Sequence, residues 1–259
     1  MSLPRMKPQD GAAWITGASS GIGEAVALEL ARRGWTVAVT ARRLDLLEAL
    51  ARRAEGLPGR IVAHVGDVTD AASMASVVEG IESVHGPVAL AFLNAGVATG
   101  GRGDSIDVPA FEETFAVNLL GVVKALAPVL ERMRQRGRGQ IAVNASLAGS
   151  RGLPGGTAYG ASKAAAIYLC ESLHFEAARA GIRVQVVNPG FVESPMTRDR
   201  PFAMPFIIPA EEAARRIADG FERAGFVIAF PRRLAWLTKL IGLLPYPLYF
   251  ALLGRFAGR

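Results

Sequence analysis

The chain has 259 residues, of which 51% are hydrophobic and 20% charged, with a formal net charge of +6. That apolar fraction excludes a disordered chain, and the length suits one large α/β domain with a sizeable core or two small ones. The single cysteine, Cys170, excludes an intrachain disulfide and suits a reducing compartment. His64, His85 and His174 are scattered and form no metal-ligand spacing, so no metal is expected.

Residues 1–10 carry prolines and charges where a secretory signal would need an apolar stretch. They read as an N-terminal extension, and the cytoplasm is the expected compartment. From residue 11 onward, β-prone apolar runs alternate with helical patterns. Residues 12–16, 36–40, 61–65, 88–93, 140–144, 183–188 and 227–230 read as strands. Several are continuously apolar, as expected of strands buried on both faces of a parallel sheet. Residues 21–33, 44–54, 71–85, 110–134, 159–180 and 210–224 read as helices. This alternation over residues 11–230 predicts a Rossmann-type, doubly wound parallel sheet of about seven strands with helices on both faces.

The first strand runs into Gly17-Ala18-Ser19-Ser20-Gly21-Ile22-Gly23 and then a helix. Glycines keep such a turn tight and let backbone approach a phosphate, and the helix aims free N–H groups at it. The spacing is Gly-x-x-x-Gly-x-Gly; a plain βα turn without ligand is the bland alternative. The second strand ends in Arg42 and Arg43 with no acidic residue. An acid there would bind a ribose 2′-hydroxyl, whereas a guanidinium suits a 2′-phosphate, so NADP(H) is expected over NAD(H), with surface arginines opening the next helix as the bland alternative. Asp67, followed by Val68, could accept from an adenine amino group; a helix N-cap at Asp67 or Asp70 is an equal reading. Asn94-Ala95-Gly96 closes the fourth strand with small residues against which a ring system could lie.

Tyr159 and Lys163 lie four residues apart, which on a helix shares one face with Cβ atoms about 5–6 Å apart. A phenol titrates near pH 10, and a neighbouring ammonium lowers that value, making the tyrosine a usable acid and base. Ser146 lies shortly upstream, where it could donate to an oxygen gaining negative charge. Taken singly, each of these residues has a chance explanation; taken together with the glycine turn, they favour a catalytic site. Ile167 and Cys170 continue the Tyr159 face and read as packing. The basic run from Arg132 to Arg138 has no interleaved aromatics and reads as a solvated helix end, so no nucleic-acid partner is expected.

Together these motifs resemble the classical short-chain dehydrogenase/reductase family. The residues from Thr16 to Gly23 look like its cofactor turn, and Asn94-Ala95-Gly96 like its strand-four motif. Asn118, Ser146, Tyr159 and Lys163 match its catalytic tetrad in order and spacing, and Pro189-Gly190 matches its motif after strand six. The resemblance implies a single nicotinamide-binding domain, a small-molecule carbonyl or alcohol substrate, and a homodimer or homotetramer. It also implies that Lys163 holds the nicotinamide ribose, that Asn118 positions a water linked to Lys163, and that Val192 and Ser194 lie against the cofactor. Leu93 stands where the family often has Asn, and Ser194 where it usually has Thr; Thr197 is a nearby alternative. A non-catalytic dinucleotide sensor of the same fold is the competing function, as is an epimerase or dehydratase of the extended family.

Two segments break the strand–helix rhythm. The loop 190–209 is rich in Pro, Phe and Met, including Met196, Phe202, Met204, Phe206, Ile207 and Ile208. It follows the sixth strand, where α/β sheets bind ligands, and suggests a hydrophobic substrate, with simple packing as the even alternative. Arg198, Asp199 and Arg200 could select a charged group or lie in solvent. In the tail 231–259, only Lys239 is charged between residues 234 and 253. Pro245-Tyr246-Pro247 should break this stretch into halves too short to span a membrane. Packing on the domain or a partner subunit ranks first, and peripheral membrane contact second.

Overall fold

The computed structural model describes residues 3–99, 106–198 and 204–257. Strands β1 (Ala12–Thr16), β2 (Thr36–Ala41), β3 (Arg60–Val65), β4 (Val88–Leu93), β5 (Gly139–Asn144), β6 (Ile182–Pro189) and β7 (Val227–Phe230) form one sheet in the order β3-β2-β1-β4-β5-β6-β7. Every pairing is parallel. The chain winds outward from β1 to β3, then returns to place β4 on the other side of β1. The carboxyl ends of β1 and β4 therefore border the crevice at which such sheets bind ligands.

Alternation along each strand divides the core in two. Ala13 and Ile15 of β1 join the cluster under α1 (Gly21–Arg32), α2 (Leu44–Arg53) and α7 (Ala210–Phe221). Ala12 and Trp14 point to the other face, under α3 (Ala71–His85), α5 (Gly121–Arg136) and α6 (Thr157–Arg179). Because both faces are covered, β1 and β4 are buried along their whole length, which explains their unbroken apolar sequence.

The helix expected over 110–134 has a more specific shape. It begins as α4 (Val108–Phe115), where the Asp107 carboxylate accepts from the Ala110 N–H at 3.1 Å. It then widens into a π-turn at Ala116–Leu120 before continuing as α5, which ends at left-handed Gly137. Asn118 sits within the widened turn, the kind of local irregularity that often marks a functional position. The run 108–136 is long and apolar enough to cross a membrane by length and composition. Its Val122, Ala125, Leu126, Val129 and Met133 are buried against the sheet, so core packing accounts for that composition.

The basic end of α5 is used internally. Arg136 and Arg132 lie 2.8 and 3.6 Å from Glu82, and Arg138 pairs with Asp10 at 2.5 Å. The N-terminal segment packs down as well, with buried Met6 donating its N–H to Gln140. The tail forms two helices, α8 (Arg232–Gly242) and α9 (Tyr246–Ala257). The break falls at the proline pair, as its lost donors and steric restriction require.

Candidate active site

The glycine turn between β1 and α1 is shaped by what it lacks. Gly17 has φ +67°, and a Cβ there would lie 2.6 Å from the Ala95 Cα. A Cβ on Gly23 would lie 2.4 Å from the Gly17 carbonyl oxygen. The turn therefore closes tightly against the end of β4. Ser20 caps α1 in an extended conformation without a side-chain hydrogen bond. A tight glycine cradle and a helix N-terminus at the sheet's switch point fit the pyrophosphate of a dinucleotide.

Asn94 supports this turn with its side chain. Its amide donates to the carbonyls of Thr16 and Gly17 at 3.1 Å each, and its carbonyl accepts from Asn144 at 2.9 Å. The Thr16 hydroxyl in turn accepts from the Asn94 and Ala95 N–H groups at 3.0 and 3.2 Å. Gly96 follows, and a Cβ on it would stand 3.3 Å from the Lys163 ammonium and 3.2 Å from the Asn118 carbonyl oxygen. The end of β4 thus meets both groups at close range.

The adenosine side is arranged by β2 and β3. Arg42 and Arg43 are exposed, and the Arg43 guanidinium lies 3.5 Å from the Ser19 hydroxyl, beside the glycine turn. Asp67 accepts from the backbone N–H and hydroxyl of Thr69 at 2.9 and 2.8 Å. The Thr69 backbone bond is the main reason its carboxylate titrates below the ordinary range; the charges of Arg42 and Lys124 add to that effect. The N-cap of α3 is Asp70, which accepts from Ala72 at 2.9 Å. Asp67 is thereby released from the capping role. Val68 packs over Gly121, where a Cβ would lie 2.9 Å from its methyl.

Lys163 is the most unusual group in the crevice. It is only 3% exposed, and its ammonium donates to the Asn144 carbonyl at 2.7 Å. Burial drives its pKa down to about 8. The ammonium lies 5.7 Å from the centroid of the Tyr159 ring, one turn earlier on α6. Ser146 caps a short 3-10 turn (Leu147–Gly149), its hydroxyl accepting from the Ala148 N–H at 3.1 Å. That turn lies directly on α6. A Cβ on Gly149 would come 2.7 Å from the Lys163 carbonyl carbon, and one on Gly160 would come 3.3 Å from the Ala148 oxygen. Ser146, Tyr159 and Lys163 are thus gathered at the carboxyl end of β5.

Asn118 locks the same corner. Its carbonyl accepts from Val97 at 2.8 Å, and its amide donates to the Val97 carbonyl and the Ser162 hydroxyl at 2.9 and 3.0 Å. With its side chain so engaged, Asn118 ties the end of β4 to α6. Cys170 lies deeper in α6, its thiol pushed up to about 12 mainly by burial, as suits packing. Ile167 packs against the same core.

After β6, Gly190 donates to the Phe230 carbonyl at 2.7 Å, fixing Pro189 and Gly190 beside β7. Val192 is buried and bridges to Ile208, closing the base of the loop. A Cβ on Gly21 would stand 3.2 Å from the Ser194 Cβ, so this loop arrives over the glycine turn. The Ser194 and Thr197 hydroxyls lie 3.2 Å apart, leaving both residue types at the expected place. Met196, Phe206 and Ile207 are exposed, whereas Ile208 is buried. Asp199, Arg200 and Phe202 fall outside the described residues.

Three residues in this arrangement belong to none of the motifs read from the sequence: Asn144, Gly149 and Arg151. The Arg151 guanidinium donates to the carbonyls of Ile241, Gly242 and Leu244 at 3.3, 2.6 and 2.7 Å, holding the tail beside the Ser146–Tyr159 segment. Only the proximity of Asn144 and Gly149 to Ser146 could have flagged them.

The fold and crevice define a nucleotide-binding α/β oxidoreductase. A profile of the short chain dehydrogenase family matches residues 11–203, and the chain belongs to the short-chain dehydrogenase/reductase family. An uncharacterized oxidoreductase of Myxococcus xanthus is 35% identical over 237 residues, covering 92% of this chain and 94% of the relative. A 3-oxoacyl-acyl-carrier-protein reductase of Thermotoga maritima is 36% identical over 187 residues, or 72% of this chain and 76% of the relative. The structure of an alcohol dehydrogenase from Thermococcus sibiricus, complexed with 5-hydroxy-NADP, superposes with a TM-score of 0.76 at 29% identity, covering 85% of this chain and 94% of that one.

Proposed function

We propose that this protein is an NADPH-dependent reductase of hydrophobic carbonyl compounds, or in reverse an alcohol dehydrogenase, with Tyr159 as its acid–base group. The observation that carries this reading is the buried Lys163 ammonium beside Tyr159, set against the glycine cradle. Enclosing a charge so fully is costly, and perturbed buried charges in a cleft concentrate at reacting centres.

The nicotinamide, when bound, supplies hydride to the carbonyl carbon or accepts it from the alcohol. Gly17, Ser19, Ser20, Gly21, Ile22 and Gly23 would hold its pyrophosphate; Asp67 and Val68 would border the adenine; Ala95, Gly96, Gly190, Val192 and Ser194 would border the nicotinamide half. Tyr159 donates its phenolic proton to the carbonyl oxygen as negative charge grows there, and takes it back in the oxidation direction. Ser146 donates a hydrogen bond to that same oxygen. Lys163 stabilises the phenolate that Tyr159 becomes, while Asn118 and Asn144 fix the surrounding backbone. The choice of NADPH rests on Arg43 beside Ser19 and on the absence of an acid at the end of β2. The hydrophobic substrate class rests on exposed Met196, Phe206 and Ile207 in the loop over the crevice.

The test is NADPH consumption across apolar ketones, aldehydes and keto-acyl esters, repeated with NADH. Turnover with NADPH well ahead of NADH is expected. Preference for NADH would remove the arginine argument, and cofactor binding without turnover of any carbonyl would favour a sensor.

A further inference from the structure

We propose that the α8–α9 hairpin is an interfacial anchor that seats the protein on an anionic lipid bilayer. The hairpin's outer surface is apolar to a degree not otherwise needed by the fold. Trp236, Leu240, Leu243, Tyr246, Leu248 and Phe250 are each at least 60% exposed. Trp236, Leu240 and Leu243 recur at i, i+4 and i+7, so they form one stripe along α8. Its neighbours on the helix are Arg232, Arg233 and Lys239, with the Lys239 ammonium 5.6 Å from the Trp236 ring centroid.

The sequence of the tail is also uniform in sign. Residues 231–259 contain Arg232, Arg233, Lys239, Arg255 and Arg259 and no acid, a charge of +5 that nearly accounts for the +6 of the whole chain. An apolar stripe bordered by cations and aromatics suits the headgroup boundary of an anionic leaflet. It suits a second copy of this hairpin poorly, because a two-fold contact would set cations against cations with no carboxylate between them. The helices have 11 and 12 residues. At about 1.5 Å per residue each is too short to span a hydrocarbon core of about 30 Å, so the hairpin lies in the interface.

The inward side is fastened to the domain. Tyr249 is buried, with its hydroxyl donating to the Gly152 carbonyl, and the Arg151 guanidinium lies 3.9 Å from the Tyr249 ring centroid. At the other end, a Cβ on Gly190 would meet Leu234 at 2.7 Å. The two helices are therefore fastened to segments flanking Ser146 and Tyr159.

Tryptophan fluorescence tests this directly. Trp14 and Trp35 are 0% and 5% exposed, so collisional quenching at the surface reports Trp236, which is 63% exposed. The full chain is mixed with brominated phosphatidylcholine vesicles, with and without an equal share of phosphatidylglycerol. Quenching and co-sedimentation are expected with the anionic vesicles and should weaken as salt rises. The Leu240→Glu/Leu243→Glu variant should bind about tenfold or more weakly. Arg232→Ser and Lys239→Ser should each weaken binding roughly fivefold. All these substitutions are at exposed positions, so circular dichroism and NADPH binding should match wild type. Absence of vesicle binding by the intact protein would overturn the proposal. So would a self-association, measured by light scattering, that Leu240→Glu/Leu243→Glu abolishes while vesicle binding is unaffected.

Discussion

The crevice at the ends of β1, β4 and β5 and the hairpin α8–α9 treat polarity in opposite ways. In the crevice, polar groups are withdrawn from water and mostly bonded: Thr16, Asn94, Asn144 and Lys163 are linked by backbone and side-chain hydrogen bonds, Asn118 is bonded to Val97 and Ser162, and the buried Asn144 side-chain oxygen is the one atom of this set with no partner. On the hairpin, apolar groups are left in water, and attachment is centred on Arg151, Tyr249 and Leu234. A buried, mutually bonded polar network holds reacting groups in one geometry, because each member left unpaired would incur its full desolvation cost. Exposed apolar surface carries no such geometric demand; its free energy is recovered only when something covers it. The first region is built to position atoms and the second to be covered.

The largest test of that contrast is Lys163→Met. Loss of the cation beside Tyr159 should lower kcat by about 10²–10⁴-fold, the range for acid–base groups. Stability should respond in its own way. Burial holds Lys163 down to about 8 from an ordinary 10.5, so between those values the unfolded chain keeps a proton that the folded chain has released. The contribution of Lys163 to stability therefore rises with pH across that window, by about 3 kcal/mol at most. Urea unfolding of wild type and variant should show a stability difference that shifts in favour of wild type from pH 8 upward. A flat difference would mean the ammonium is not penalised by its surroundings.

Gly17→Ala comes next. Its Cβ would enter the backbone of Ala95 at a φ of +67°, at a cost of about 1–3 kcal/mol or more. A lower Tm and at least tenfold weaker NADPH binding by fluorescence titration are expected. Arg151→Ala should act on the other region. It removes three charge-assisted bonds to the end of α8, worth about 1–3 kcal/mol together for a partly buried group. The expected result is faster proteolysis within residues 232–257 with the Tm of the domain nearly unchanged; equal loss in both would show the hairpin to be integral to the core. Arg43→Ala is the smallest, raising the KM for NADPH about tenfold while that for NADH stays within twofold.

The two regions also differed in how far they could be read from sequence. The glycine turn and the Tyr159–Lys163 pair are local patterns whose spacing encodes their geometry, and the alternation of apolar runs placed all seven strands. Asp67 and Asp70 stayed ambiguous until the structure assigned the cap to Asp70, since either carboxylate lies near the start of α3. The π-turn around Asn118 left no mark on the helical periodicity. Asn144 and Arg151 were invisible because their partners are remote: Asn144 meets Asn94 and Lys163, 50 and 19 residues away, and Arg151 meets Leu244, 93 residues away. The proline break in the tail was legible, as a backbone rule. Which side of each tail helix would be covered was not, because that depends on where Gly152 and Gly190 lie in the fold.

The central claim is that Tyr159 transfers the proton in an NADPH-dependent carbonyl reduction. It is tested most directly by comparing wild type and Tyr159→Phe in NADPH oxidation on the best substrate from the screen, with NADPH affinity measured alongside. The account predicts a fall in kcat of about 10²–10⁴-fold with cofactor affinity within a few-fold of wild type. Turnover by Tyr159→Phe equal to that of wild type would contradict it.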